Sequence, residues 1–125
     1  MKIDPLGRKV ALQLAAGRVA VGTAAFFATR PALGALGFGA TDAGGEALAR
    51  MLGARDLALA GATIAARGDR TALRTSTLAA AALDTGDAIA FLVAMRDPAT
   101  RRAGLGGVLS AGIAAGAGFW AARRL

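Results

Sequence analysis

Charged side chains stand inside apolar stretches of this 125-residue sequence, and they are the residues best suited to chemistry. Ionisable groups in hydrocarbon are energetically costly, so such positions are candidate functional sites by default. We assign candidate catalytic, acid–base roles to Asp84 and Asp87, because a desolvated carboxylate can exchange protons. We assign candidate substrate-binding roles to Arg18, Arg55 and Asp56, because guanidinium groups hold anionic parts of a ligand.

Residue types that the sequence lacks limit the reactions that these side chains could catalyse. The sequence contains no Cys, His or Tyr, so the commonest metal ligands and the usual proton shuttle are absent. We therefore predict no metal site and no cofactor. If the five residues meet, three carboxylates face two guanidinium groups, with Arg50 as a candidate third cation. If Arg50 stays outside, one carboxylate is in excess. Desolvated beside other carboxylates, it is expected to have a raised pKa and to exchange a proton near neutral pH.

The composition is typical of a membrane protein. Hydrophobic residues make up 55% of the chain, mean hydropathy is +0.51 and aromatic residues only 5%. A soluble core of Ala and Gly would bury too little surface to offset chain entropy, whereas in lipid small residues let helices approach closely. The net charge of +7 lies in short clusters between apolar runs, without aromatic interleaving. The predicted partner is therefore the lipid bilayer, not nucleic acid.

Apolar runs separated by basic turns predict the fold. We predict one all-α domain over residues 1–125, a four-helix transmembrane bundle with up-down topology. The predicted helices cover about 6–29, 47–66, 71–95 and 99–122, each long enough for a hydrocarbon core of about 30 Å. Asp-Pro pairs at 4–5 and 97–98 predict two of the helix starts. Residues 30–46 are predicted to form a compact interfacial loop, and a soluble all-α bundle is the alternative.

Counting residues along these helices places the charges at matching depths. Antiparallel neighbours bring Arg55 level with Asp87, and Arg18 level with Asp84. Asp84 and Asp87 share one helix face, and Thr77 lies on the same face seven residues earlier. We expect this polar stripe to face the interior of the bundle.

The distribution of Lys and Arg predicts the orientation in the membrane. One side carries eight basic residues and the other carries four. The positive-inside rule then predicts a multi-pass protein of the cell membrane with both termini in the cytoplasm. In the last helix Gly112 and Gly116 have the spacing of a small-residue contact motif. We expect this motif to pack inside the bundle rather than to form a dimer.

The motifs that carry the charges resemble those of a protein family. The sequence GARD at 53–56 and the sequence DTGD at 84–87 are similar to a G-x-R-D motif and a D-x-x-D motif. These motifs resemble an uncharacterised family of small four-helix integral membrane proteins that look like DoxX proteins. The resemblance implies a four-helix membrane fold in which Arg55, Asp56, Asp84 and Asp87 form the polar centre. It implies no particular activity.

Three functions remain open from the sequence. In the first, the charged residues bind a small polar or amphiphilic molecule or a proton, and could form a membrane-embedded acid–base enzyme with a closed pocket reaching Asp84 and Asp87. In the second, the chain is an oligomeric transport or permeation element with a water path. In the third, it is an accessory structural subunit, in which the charges only join helices and a membrane partner covers exposed small residues.

Overall fold

The computed structural model describes residues 2–125, which fold almost entirely into helices. Over this range five α-helices follow one another, with a single 3₁₀ turn at Ala66–Gly68. The helices are α1 (Pro5–Phe27), α2 (Thr29–Ala35), α3 (Ala43–Ala65), α4 (Arg70–Ala94) and α5 (Arg101–Arg124).

The prediction of a four-helix transmembrane bundle with up-down topology is wrong in its number of helices and of membrane spans. The described chain has five α-helices, because residues 30–35, predicted as part of an interfacial loop, form the short helix α2 (Thr29–Ala35) together with Thr29. Pro31 does not prevent this, since a proline in the first turn of a helix removes no internal hydrogen bond. The Ala and Leu residues that follow favour helix.

Three of the helices are long and apolar enough to cross a membrane. These are α1, α4 and α5, each with a mean hydropathy of 1.5 over its most apolar window. Helix α3 is 23 residues long but carries Glu46, Arg50, Arg55 and Asp56, which lower its hydropathy. The three apolar helices agree with the predicted class of protein, an integral membrane protein, but not with four equivalent spans.

Aspartate side chains begin three of the long helices. Asp4, Asp42 and Asp69 each accept a hydrogen bond from a backbone N–H of the first turn, at 2.7 to 3.0 Å. These contacts satisfy N–H groups that have no partner within the helix. Asp97 does not begin the last helix as predicted. It accepts from Ala99 N–H in a turn, and α5 starts only at Arg101.

Glycine contacts divide the molecule into two tightly packed helix pairs. In the first pair, a methyl group added at Gly53 of α3 would lie 2.7 Å from the carbonyl oxygen of Gly22 in α1. In the second, a methyl at Gly104 of α5 would lie 2.8 Å from the Phe91 carbonyl oxygen in α4, and one at Gly118 would lie 2.9 Å from Ala81 Cβ. Backbones this close leave room only for hydrogen at these positions.

The outer surface is apolar and the core is small. Large side chains such as Ile113, Met51 and Leu48 are more than half exposed, whereas most of the buried hydrophobic residues are alanines. This is the inverse of a soluble bundle and is what lipid-facing helices require. Gly112 and Gly116 have no atom of another element within 4 Å. The expectation that they pack inside the bundle is therefore wrong; Gly104 and Gly118 make the close contacts of α5 instead.

Both ends of the described chain lie at one end of the molecule. An Arg124 guanidinium nitrogen lies 3.7 Å from the Asp4 carboxylate, and Leu125 and Leu73, both almost fully buried, pack together with Ala11. The turn between α3 and α4 is at the same end, since Ala66 packs against this core. The long helices therefore alternate in direction along the chain.

Candidate functional site

Five charged side chains from three helices meet between the two helix pairs. The first pair supplies Arg18 from α1 with Arg55 and Asp56 from α3, and the second pair supplies Asp84 and Asp87 from α4. We refer to these five residues as the Arg/Asp cluster. Arg18 lies thirteen residues into α1 and Asp84 lies fourteen residues into α4, about 20 Å along each helix at 1.5 Å per residue. The cluster therefore lies near the middle of both apolar helices.

The inner part of the cluster is built around Arg18. Its guanidinium donates a hydrogen bond to the Asp84 carboxylate, and the two side chains are 10% and 7% exposed. A second, longer contact of 3.5 Å joins Arg18 to Asp56. Arg18 also donates to the backbone carbonyl of Ala80, one turn before Asp84, at 3.5 Å. Arg18 thus has acceptors on both helix pairs.

The outer part of the cluster is built around Arg55. Its two terminal nitrogens donate to the two oxygens of Asp87, at 2.9 and 2.6 Å, in the forked geometry that suits a carboxylate. One of the same nitrogens lies 3.1 Å from Asp56. Both side chains, Arg55 and Asp87, are slightly more than a quarter exposed, so this pair lies at the edge of the molecule between α3 and α4.

Asp56 connects the inner and outer parts. One of its oxygens accepts from both Arg18 and Arg55, so the five side chains form a continuous chain of ion pairs. Three carboxylates share two guanidinium groups, and the formal charge of the cluster is −1. Within residues 2–125, one buried polar side-chain atom has no hydrogen-bond partner, the Nε of Arg55. An unpaired buried N–H costs roughly 1–3 kcal/mol.

The space beside the cluster is small. A cavity of about 10 Å³ lies against Arg18 and Asp84, which is the volume needed to hold about one water molecule. Its other walls include the hydroxyl-bearing Thr77 and Thr63 with several alanines. Both threonines are buried and donate to backbone carbonyls of their own helices, at 2.7 and 2.9 Å. The cavity has no room for an organic ligand.

The structure brings together all five residues proposed from the sequence. Arg18 pairs with Asp84 and Arg55 with Asp87, as expected from their depths. Thr77 and Asp84 are buried, and Asp87 lies further towards the surface. Arg50, the candidate third cation, does not join the cluster; it is half exposed and pairs with Glu46 at 3.6 Å. The catalytic and substrate-binding roles of the five residues remain predictions.

Two polar residues with defined contacts were missed. Thr63 lines the cavity and lies seven residues after Asp56, a spacing that puts it on the same face of α3. Glu46 is buried and accepts from Arg30 at 2.5 Å, which fastens α2 to the start of α3. This hydrogen bond raises the pKa of the exposed Arg30 guanidinium. Arg50 follows Glu46 by four residues, a spacing that predicts an ion pair on one helix face, and this could have identified Glu46 from the sequence.

These features define a class of protein. The chain is a small all-helical protein with three helices that can cross a membrane and an Arg/Asp cluster buried between its helix pairs. Comparison with protein-family models, with curated proteins and with solved structures finds no match to this chain.

Proposed function

We propose that the chain is an integral membrane protein whose Arg/Asp cluster holds an exchangeable proton in the middle of the bilayer. One observation carries this proposal: three carboxylates share two guanidinium groups in a continuous chain of ion pairs. An uncompensated charge in a medium of low dielectric constant is strongly disfavoured, and a carboxylate in that position takes up a proton instead. One proton makes the cluster neutral.

The size of the site favours a proton over a larger ligand. The cavity beside Arg18 and Asp84 has room for about one water molecule, which can carry a proton but cannot be replaced by an organic substrate. The terminal nitrogens of both guanidinium groups already contact carboxylates, with which an anionic ligand would have to compete. In this proposal Asp84 and Asp87 do not act on an organic substrate. They share one proton with the rest of the cluster.

The proton would control how firmly the two helix pairs hold together. The ion pairs of Arg18 with Asp84 and of Arg55 with Asp87 cross from one helix pair to the other. In the protonated cluster two carboxylates remain charged, one for each guanidinium group. Loss of the proton leaves a net negative charge between the pairs and weakens their contact. The protein would then respond to pH by a change in the packing between α3 and α4.

Infrared difference spectroscopy of the protein in lipid nanodiscs tests this proposal. A protonated carboxylic acid has a carbonyl stretch that is separate from the carboxylate bands and shifts in heavy water. We expect one such band near neutral pH in the unmodified chain. Asp56→Asn should remove it, because two carboxylates then face two guanidinium groups and no excess remains.

The matched control is Asp97→Asn, which changes an aspartate in the turn before α5. Asp97 accepts from a backbone N–H, a role that Asn also fills. The carboxylic acid band should persist in this variant. A spectrum of the unmodified chain without the band at neutral pH would contradict the proposal, as would a band that Asp56→Asn leaves unchanged.

The second candidate is an accessory structural subunit with no chemistry of its own. It is supported by the contacts within the cluster, in which each of the five charged side chains has at least one ion-pair partner. Buried ion pairs can serve only to fix which helices associate. The absence of a carboxylic acid band would favour this function over the first.

Both candidates share a setting in the cell membrane with the two termini in the cytoplasm. The basic residues at the end of the molecule that holds Arg124 and Asp4 support this orientation. The G-x-R-D and D-x-x-D motifs support a relationship to the uncharacterised DoxX-like family, because their charged residues are the ones that form the cluster. An oligomeric transport role would need further copies of the chain to enclose a path.

A further inference from the structure

A basic hollow lies far from the Arg/Asp cluster, where α4 begins and α5 ends. It is open to the surface, has a volume of about 440 Å³ and is lined by Arg70, Arg74 and Arg123 with two threonines, Thr71 and Thr75, and Leu125. Three guanidinium groups therefore surround one space, and the two threonine hydroxyls add hydrogen-bonding groups. The side chains that line the hollow therefore carry a net positive charge.

Arg74 and Arg123 differ in their contacts with the rest of the protein. Arg74 donates through Nε to the backbone carbonyl of Ala122, at 3.2 Å, which fixes its guanidinium plane against the end of α5. Arg123 makes no ion pair or hydrogen bond with any of residues 2–125, and it is exposed. Neither arginine faces a carboxylate side chain across the hollow, so both are available to an anion.

The position of the hollow identifies the kind of anion. Both α4 and α5 are long and apolar enough to cross a membrane, and the hollow is formed by the ends of these two helices. Helices that cross a bilayer have their ends at the boundary between lipid and water. Trp120 is exposed one turn earlier on α5, with the Arg124 guanidinium 4.9 Å from its ring, and an indole at such a position is typical of the headgroup level. Basic pockets between helices at this level suit phosphate-bearing lipid headgroups.

We propose that this hollow binds the headgroup of an anionic phospholipid. The phosphate would accept from Arg74 and Arg123 on the two helices, while the acyl chains lie along the exposed apolar surfaces of α4 and α5. A bound lipid would join the two helix ends from outside. This proposal does not depend on whether the Arg/Asp cluster holds a proton.

Quenching of Trp120 by brominated lipids measures this binding directly. Trp120 is the single tryptophan of the chain, so its fluorescence reports contact with lipid at this end of α5. The protein is reconstituted in phosphatidylcholine vesicles that contain a small fraction of either brominated phosphatidylglycerol or brominated phosphatidylcholine. We expect stronger quenching by the phosphatidylglycerol at equal mole fraction. Arg74→Gln with Arg123→Gln should reduce this preference about tenfold, since each arginine contributes to anionic lipid binding.

Two further variants separate a local site from general charge attraction. Arg101→Gln with Arg102→Gln removes two charges from the other end of α5 and should leave the preference unchanged. Arg123→Gln alone should reduce the preference about threefold, and it removes no contact that the fold uses. Equal quenching by the two lipids would overturn the proposal, and so would equal losses in the two double variants.

Inorganic phosphate separates a lipid headgroup from a soluble phosphate ligand. We expect added phosphate to leave quenching by phosphatidylglycerol unchanged, relative to sodium chloride of the same ionic strength. Displacement of the lipid by phosphate alone would overturn the assignment of the hollow to a lipid.

Discussion

At the scale of single residues, the three aspartates of the cluster are not equivalent. Asp84 and Asp87 both lie on α4, and each forms an ion pair with an arginine of the other helix pair. Asp56 lies on the same helix as Arg55 and contacts both arginines at longer distances, 3.1 and 3.5 Å. Removing the charge of Asp56 leaves both arginines paired, whereas removing the charge of Asp84 leaves Arg18 with one long contact.

This difference predicts unequal losses of stability for isosteric variants. We expect Asp84→Asn to lower the free energy of unfolding by about 3 kcal/mol, because it strands a buried guanidinium. Asp87→Asn should cost less, about 1–2 kcal/mol, since its ion pair with Arg55 is partly exposed. Asp56→Asn should change stability by less than about 1 kcal/mol. Unfolding by sodium dodecyl sulfate in mixed micelles, followed by circular dichroism, compares the three.

Equal costs for the three substitutions would contradict this assignment of partners. Asp97→Asn again serves as the control for removing a negative charge elsewhere, because Asp97 lies in an exposed turn.

At the scale of helices, close backbone contacts rather than large side chains hold each pair together. Among residues 2–125, only Leu73 and Leu125 are large side chains with almost no exposure, so little of the packing comes from interlocking apolar groups. Gly22 and Gly53 instead bring the backbones of α1 and α3 into contact. Such contacts maximise dispersion between helices where lipid removes the hydrophobic driving force.

Two glycines of α3 form a matched pair for testing this contact. We expect Gly53→Ala to destabilise the protein by roughly 1–3 kcal/mol, because the added methyl would lie 2.7 Å from the Gly22 carbonyl oxygen. Gly61→Ala adds the same methyl to the same helix where no atom of another element lies within 4 Å. It should be neutral or stabilise by up to about 1 kcal/mol through helix propensity. Similar effects in the same unfolding assay would rule out a packed contact at Gly53.

Sequence reasoning located the long helices and their charges better than it located their contacts. Runs of apolar residues and the aspartates at helix starts were enough to find α1, α3 and α4, and counting along them matched Arg18 with Asp84. The short helix α2 was missed, since its seven residues lack an apolar period long enough to detect. Gly112 and Gly116 were assigned to the interior because spacing cannot distinguish which face of α5 meets α4.

At the scale of the whole molecule, the long helices run along one axis. The Arg/Asp cluster lies near the middle of this axis, and the basic hollow lies at the end that holds Arg124 and Asp4. The loop between α2 and α3 lies at the opposite end, because Arg30 and Glu46 pair there. The excess of basic residues at the first end predicts that it faces the cytoplasm.

Single cysteines test this orientation, because the chain has no cysteine of its own. Gly39 and Gly68 lie at the two ends of the molecule, both exposed and with no atom of another element within 4 Å, so Cys fits at either position. In intact spheroplasts a membrane-impermeant maleimide should label Gly39→Cys and should label Gly68→Cys only after lysis. The reverse pattern would mean that the basic end faces outwards. Labelling of both variants before lysis would mean that the two ends do not lie on opposite sides of the bilayer, and the protein would then rest on the membrane rather than cross it.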